Sequence, residues 1–366
     1  MSNPFEDICT SGVASLQPYI PGKPVSELER ELGIKESIKL ASNENPLGPP
    51  AGVAEVLQKE LKDLALYPDG GGYALRDALA QKHACKASQV TLGNGSNDVL
   101  DIIARVFMNP GDEAIFSEYA FAVYPIVTQA VGAVSRVAKA QNYGHDLDAM
   151  QALISDKTKV IFIANPNNPT GTWLNSAALR AFVEKVPSNI IVVIDEAYTE
   201  YVGHADYPDA SQWLMDFDNL IVTRTFSKAY GLAALRVGYS LSHTSVADLL
   251  NRVRQPFNVN SIAQAAALAA LDDSDFLQRS VEVNRQGMQQ YETAFNQMGL
   301  EWIPSVGNFI TVDLGRPSAA VNQALLQLGV ITRPVANYGM PNHLRISIGL
   351  PEQNARCIDA LKQVLS

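Results

Sequence analysis

Apolar runs alternate with stretches carrying an apolar residue at every third or fourth position through the middle of this 366-residue chain. "KVIFIANP" (159–166), "NIIVVIDEAY" (189–198) and "NLIVTRTF" (219–226) are continuous and rich in β-branched residues. Such runs predict strands buried on both faces, because a strand with one wet face alternates apolar with polar side chains. "SAALRAFVEKV" (176–186) lies between the first two, and its apolar period of about 3.6 predicts a helix. Strand, helix, strand in this rhythm predicts an α/β fold with a mostly parallel central sheet flanked by helices.

The texture changes near residue 245. A long helical region (about 261–297) precedes "EWIPS", "GNFITVDL", "GVITRPV" and "HLRISIG", with helical "AAVNQALLQLG" and "EQNARCIDALKQVL" between them. That mixture predicts a smaller α+β domain. The Pro/Gly-rich "LQPYIPGKPVSELERELG" cannot form a core alone, so it is expected to pack across the body or a partner. The expected division is an N-terminal arm (1–40), a large domain (41–245) and a small C-terminal domain (246–366).

Composition narrows the function classes. With 47% hydrophobic and 18% charged residues the chain can bury a large core, and its length favours two domains. A net charge of -10 argues against nucleic acid or an anionic membrane as the main partner, though not against a small anion in a local site. Cys9, Cys85 and Cys357 are widely spaced and form no CxxC, which suits a reducing compartment and offers no zinc site. Five scattered histidines without HExxH give no reason to expect a catalytic metal. "MSNPFEDICT" lacks a basic and then apolar leader, and no apolar stretch reaches about 18 residues, so a soluble cytoplasmic protein is expected.

Several polar groups then stand out against this frame. In "VTLGNGSNDVLDIIARVF" (90–107) a short strand turns through glycines into a helix that opens at Gly95, Ser96 and Asn97. Free N–H groups and the positive dipole end make such a start a seat for phosphate, although an ordinary capped turn has the same look. It is neither a Walker A nor a GxGxxG motif. "VVIDEAYTEY" puts Asp195 at the carboxyl end of a strand, where ligands of open α/β sheets bind. "NPNNPTG" (165–171) brings amide side chains to that same edge. "RTFSKAYGLAALRVGY" (224–239) sets Lys228 among apolar neighbours, and a buried ammonium is costly unless paired, neutralised or covalently used. "LRISIG" (344–349) alternates, so Arg345 shares a face with Ser347, and a guanidinium offers a bidentate fork for a carboxylate.

Together these parts match one chemistry. Pyridoxal 5′-phosphate (PLP) needs a lysine for its Schiff base, a carboxylate on its pyridine nitrogen and a phosphate seat, while amino-acid substrates need an arginine. The chain resembles the fold-type I PLP-dependent aminotransferases of the class I/II group, and among them most closely the histidinol-phosphate aminotransferases. "LQPYIPGKPVSELERELG", "IKLASNENPLGP", "YPDGGGYALRDALA", "NPNNPTG", "DEAYTEY", "SKAYGLAALRVGY" and "LRISIG" carry the resemblance, in that family's order and over nearly the whole chain.

The resemblance implies a role for each matching residue. Lys228 would bind the cofactor as an imine and shuttle a proton. Asp195 would keep the pyridinium protonated, Tyr198 and Asn168 would bond the ring's phenolic oxygen, and Tyr119 would stack on the ring. Gly95, Ser96, Asn97, Thr225, Ser227 and Arg236 would hold the phosphate, with Tyr67 reaching the phosphate of a neighbouring subunit in a homodimer. Arg345 would take the substrate carboxylate, Tyr19 and Asn43 would stand near the substrate, and Arg333 would meet the phosphate of histidinol phosphate. The implied reaction moves an amino group from histidinol phosphate to 2-oxoglutarate. Relatives acting on phenylalanine or tyrosine, and threonine-phosphate decarboxylases, share nearly every motif and stay open as alternatives. A ligand-sensing regulator of this fold would carry a basic N-terminal DNA-binding extension, but here the motifs begin near residue 16 and the charge is acidic.

Overall fold

The structure, a computed structural model, describes residues 5–6, 8–19 and 22–366. Strand β1 (Ile38–Lys39) pairs with a segment far along the chain. Strands β2 (Val90–Gly93), β3 (Glu113–Ser117), β4 (Val134–Ala138), β5 (Thr158–Ala164), β6 (Ile191–Asp195), β7 (Leu220–Thr225) and β8 (Gly238–Ser242) form one seven-stranded sheet. Its order is β2-β8-β7-β6-β5-β3-β4. Strands β3 to β7 run parallel, and β8 lies antiparallel to both of its neighbours.

The three continuous apolar runs become β5, β6 and β7, in the middle of the sheet. Alternate side chains serve two cores. Ile161, Ile163, Val192 and Ile194 enter one, while Val160, Phe162, Ile191 and Val193 enter the other. A strand that feeds a core on each face has little place for polar side chains, which is why 160–164 of β5 and 191–194 of β6 are unbroken apolar runs, while β7 turns polar at Thr223 and Arg224. At their carboxyl ends the polar residues begin.

The second unit is built on β9 (Glu301–Ile303), β10 (Phe309–Asp313), β12 (Arg333–Pro334) and β13 (His343–Ser347), an antiparallel sheet ordered β12-β13-β10-β9. Between them β11 (Val330–Ile331) pairs in parallel with β1. Helices Ser274–Met298, Ser318–Gln327 and Pro351–Leu365 cover this sheet through Tyr291, Phe295, Leu325 and Leu361.

Three expectations need correction or sharpening. The long helical region is two helices, Ser261–Leu271 and Ser274–Met298. Asp272 ends one and Asp273 caps the next, its Oδ1 accepting the Phe276 N–H at 2.8 Å. The boundary drawn at 245/246 falls short. Val246 and Leu250 join one core of the large sheet, and Ala263, Ala266, Ala267 and Ala270 join the other. Of the N-terminal segment, Leu28, in helix Val25–Leu32, is buried with Ala41, Leu326 and Ile331. Among the described residues no helix is long and apolar enough to cross a membrane.

Candidate active site

A cavity of about 430 Å³ opens at the carboxyl ends of β5, β6 and β7, marked by Ala164, Asp195 and Thr225. The start of helix Ser96–Phe107 forms one wall, and Asn43 and Arg345 close the side towards the small unit. The reason for this position is the fold itself. Parallel strands end together, and the loops leaving them carry the first polar side chains.

Lys228 lies in the turn three residues past β7 and reaches into the cavity. Its Nζ donates to the Ser42 carbonyl at 3.0 Å and sits 5.7 Å from the Tyr198 ring centroid. Burial, with the Arg345 charge second, pulls the ammonium down to about 7. The amine is therefore largely neutral just above neutral pH, which is what a nucleophilic lysine needs.

Asp195 is the last residue of β6 and 4% exposed. Its Oδ2 accepts from the Tyr124 hydroxyl at 2.9 Å and its Oδ1 from the Thr223 hydroxyl at 3.0 Å. Thr223 is its register partner on β7, so parallel pairing delivers that hydroxyl. Burial raises the carboxyl above its ordinary range, and the two hydroxyl bonds oppose the rise.

Helix Ser96–Phe107 begins after Gly95, which adopts φ 86° and provides no side-chain cap. A Cβ at Gly95 would stand 2.5 Å from Arg236 Nη2, so only glycine lets the guanidinium approach the helix start. Arg236 also donates to the Ser227 hydroxyl at 3.3 Å, and the Thr225 hydroxyl accepts the Ser227 N–H at 3.1 Å. First-turn N–H groups, a guanidinium and two hydroxyls thus converge, while the one first-turn carboxylate, Asp98, does not line the cavity and instead accepts from the Asn94 N–H and from Asn258. That donor set fits a phosphate monoester.

On the opposite wall, the Tyr198 hydroxyl accepts from Asn43 Nδ2 at 3.0 Å and Asn168 Nδ2 at 3.1 Å. Burial pushes this phenol up to about 12. It keeps its proton at neutral pH, and with two amides on its oxygen that proton is free for a ligand. Arg345, on β13, donates to Asn168 Oδ1 and to the Ala41 carbonyl, the latter at 2.7 Å. Its buried Nε has no hydrogen-bond partner. A buried donor left unpaired is expensive, and an anion entering the cavity is what would satisfy it.

The family model for aminotransferase class I and II matches residues 35–361. The chain belongs to the class I and II aminotransferases. It is 59% identical to histidinol-phosphate aminotransferase 2 of Pseudomonas fluorescens, over 100% of both chains. It is 58% identical to the protein of the same name from Pseudomonas aeruginosa, over 99% of each. Among solved structures, histidinol-phosphate aminotransferase from Sinorhizobium meliloti, in complex with pyridoxal-5′-phosphate, superposes with a TM-score of 0.90 at 28% identity. It covers 98% of this chain and 97% of its own.

In this aminotransferase Lys228, Asp195, Tyr198, Asn168, Asn43, Ser96, Asn97, Thr225, Ser227, Arg236, Arg345 and Tyr19 all line the cavity, and Gly95 packs against Arg236. Tyr119 does not line it. It packs beside Ile303, Val335 and Met340, with its ring 5.5 Å from that of Tyr143. Phe121 lines the cavity instead, two residues further into the same segment. Arg333 stands outside the lining, its guanidinium 5.6 Å from the Tyr19 ring centroid. Cross-strand register with Arg345 aims the two arginines at one side of the small sheet. Tyr67 is 82% exposed and stacks on Phe257 at 4.7 Å, away from its own chain's cavity. Sequence reasoning missed Phe121, Tyr124, Thr223 and Glu44. The one signal for Thr223 is its hydroxyl directly after the apolar run that opens β7.

Proposed function

We propose that this aminotransferase uses PLP to move an amino group from histidinol phosphate to 2-oxoglutarate, giving imidazole acetol phosphate and glutamate. The observation that carries it is one cavity holding Lys228, Asp195, Arg345 and the donor cluster at Gly95–Asn97, in a chain whose full-length relatives bear that enzyme's name. When bound, PLP supplies the electron sink for the pair left behind as the substrate loses its Cα proton. Lys228 Nζ would attach the cofactor and then carry that proton. Asp195 would hold a positive charge on the ring nitrogen, and the Tyr198 hydroxyl with Asn168 would orient the phenolic oxygen. Ser96, Asn97, Thr225, Ser227 and Arg236 would hold the phosphate, and Phe121 would offer a flat face to the ring in place of Tyr119. The three cysteines are free, which suits the reducing cytoplasm proposed for the reaction.

The substrate is tested by kcat/KM for histidinol phosphate, phenylalanine, tyrosine and threonine phosphate, each with 2-oxoglutarate as acceptor. Histidinol phosphate is expected to lead. Arg345 and Arg333 can serve two different anions in turn, because one guanidinium fork accepts a carboxylate or a phosphate. Arg333→Ala should therefore cost histidinol phosphate about 1.5–3 kcal/mol more than phenylalanine, the usual size of a lost charge-assisted bond. Phenylalanine as the better substrate, with its lead unchanged in Arg333→Ala, would mark an aromatic aminotransferase instead.

The working unit we propose is a homodimer with shared sites. Leu61, Leu64, Leu66, Tyr67 and Tyr73 are all more than half exposed within one short segment, a density of apolar surface that marks an interface. Tyr67 leans on Phe257, and the neighbouring Asn258 donates to Asp98 at 2.8 Å, so this patch borders the phosphate seat. Sedimentation should give twice the chain mass. Mixing Tyr67→Phe with Lys228→Ala subunits should yield heterodimers with one intact site, provided the single Tyr67→Phe defect is measurable. A monomer, or no activity gained on mixing, would overturn the shared site.

A further inference from the structure

Among the described residues, two carboxylates line the cavity, and they differ sharply. Asp195 is buried with both oxygens taken by hydroxyls. The Glu44 side chain is 43% exposed; its Oε1 holds Lys39 Nζ at 2.6 Å, and Oε2 accepts no hydrogen bond from any described residue. Lys228 Nζ donates to the carbonyl of Ser42 at 3.0 Å, two residues before Glu44, so the segment that carries Glu44 stands on the amine side of the cavity. A substrate's reacting carbon has to come to that same side. The backbone keeps Glu44 there: Asn43 has φ 55°, its N–H donates to Ser347 Oγ at 2.8 Å, and its carbonyl accepts from Asn308 at 2.9 Å.

Resting on the proposed reaction, we infer that Glu44 selects the amino donor by accepting the N–H of its imidazole ring, with Lys39 as the partner it holds between substrates. Arg236 and Arg345 offer the cavity donors for anions, but an imidazole is itself a donor and needs an acceptor. Glu44 Oε2 is the free carboxylate oxygen at hand. A phenyl ring in the same place would cover a carboxylate without bonding it, and leaving such a group dry and unpaired is how a polar site rejects an apolar analogue. Lys39 makes the second half-reaction tolerable. With 2-oxoglutarate bound, the ion pair stays closed and the substrate's distal carboxylate meets a neutralised Glu44 rather than a bare charge.

Calorimetry of the holoenzyme with imidazolepropionate and phenylpropionate isolates the ring, since both ligands keep the carboxylate and lack the amine and the phosphate. Glu44→Gln should weaken imidazolepropionate about tenfold, the low end for a charged hydrogen bond because the amide oxygen still accepts. Phenylpropionate should bind within about twofold of wild type, a difference worth no more than one weak contact. Lys39→Met, which frees Glu44, should leave imidazolepropionate binding equal or tighter. If Glu44→Gln weakens both ligands alike or neither, or if Lys39→Met weakens imidazolepropionate as much as Glu44→Gln does, the ion pair is only a structural tie and the inference is wrong. The ranking of histidinol phosphate against phenylalanine in the wild type decides the proposed reaction separately, because the calorimetric ligands are not substrates.

Discussion

Lys228→Ala should reduce transamination to background, a loss of more than about 10⁴-fold. In the proposed reaction attachment of the cofactor and movement of the Cα proton would both depend on Nζ, and general acid–base catalysis alone contributes roughly 10²–10⁴-fold. Among the described residues that line the cavity, Lys228 has the one amine. Its depressed value of about 7 gives a second handle. An ordinary lysine is neutral in only about one part in a thousand at pH 7.5. Here the neutral form dominates above pH 7 and is lost as pH falls through it, so the rate of PLP capture by the apoprotein should climb across neutrality and level off. Borohydride fixation followed by peptide mapping should place the label on Lys228. A label on another lysine, or turnover in Lys228→Ala within about tenfold of wild type, would remove Lys228 from the chemistry.

The layers of the fold were legible because burial writes itself into composition. β5, β6 and β7 each feed two cores through the apolar runs 160–164, 191–194 and 220–222, and a run of that kind is what burial on both faces favours. The ends of those runs gave Asp195 and Lys228 for the same reason, since polarity resumes where the sheet stops. Register is another matter. Thr223 meets Asp195 only because β6 and β7 pair in one particular offset, and one strand's sequence does not contain its neighbour's alignment. The aromatic segment shows the same limit on a smaller scale. "SEYAFAVY" holds three aromatic rings, and a turn followed by helix Val123–Ala130 decides which of them points where. Tyr119 falls outside the cavity, Phe121 lines it, and Tyr124 drops beneath to reach Asp195. Glu44 was hidden by its surroundings, for a glutamate in a loop of asparagines and prolines looks like any solvated turn. The boundary near 245 misled because alanine-rich Ser261–Leu271 has no sharp apolar stripe, although its alanines pack tightly on the large core.

Asp195→Asn should keep the cofactor bound and cut turnover by roughly 10³–10⁴-fold, the scale seen when a carboxylate that orients and charges a catalytic ring becomes an amide. The shape of the site survives the change. Tyr124 and Thr223 bring hydroxyls to the two oxygens at 2.9 and 3.0 Å, and a hydroxyl can turn to accept from an amide as readily as it donates to a carboxylate. What is lost is charge. Burial already disfavours the anion here, and the two hydroxyls offset part of that cost, so the protein retains a carboxylate where a neutral group would be easier to hold. Such an arrangement has a use only if a positive charge comes to sit beside it. In the proposed reaction a protonated ring nitrogen would be that charge, and an uncharged amide could not keep its proton in place. Tyr124→Phe provides the scale. It removes one donor from Asp195 but leaves the charge, and should cost about tenfold, the usual worth of one hydrogen bond to a charged group. Equal losses in the two variants, or an Asp195→Asn enzyme within about tenfold of wild type, would show that Asp195 serves to cap the end of β6 and not to charge the ring.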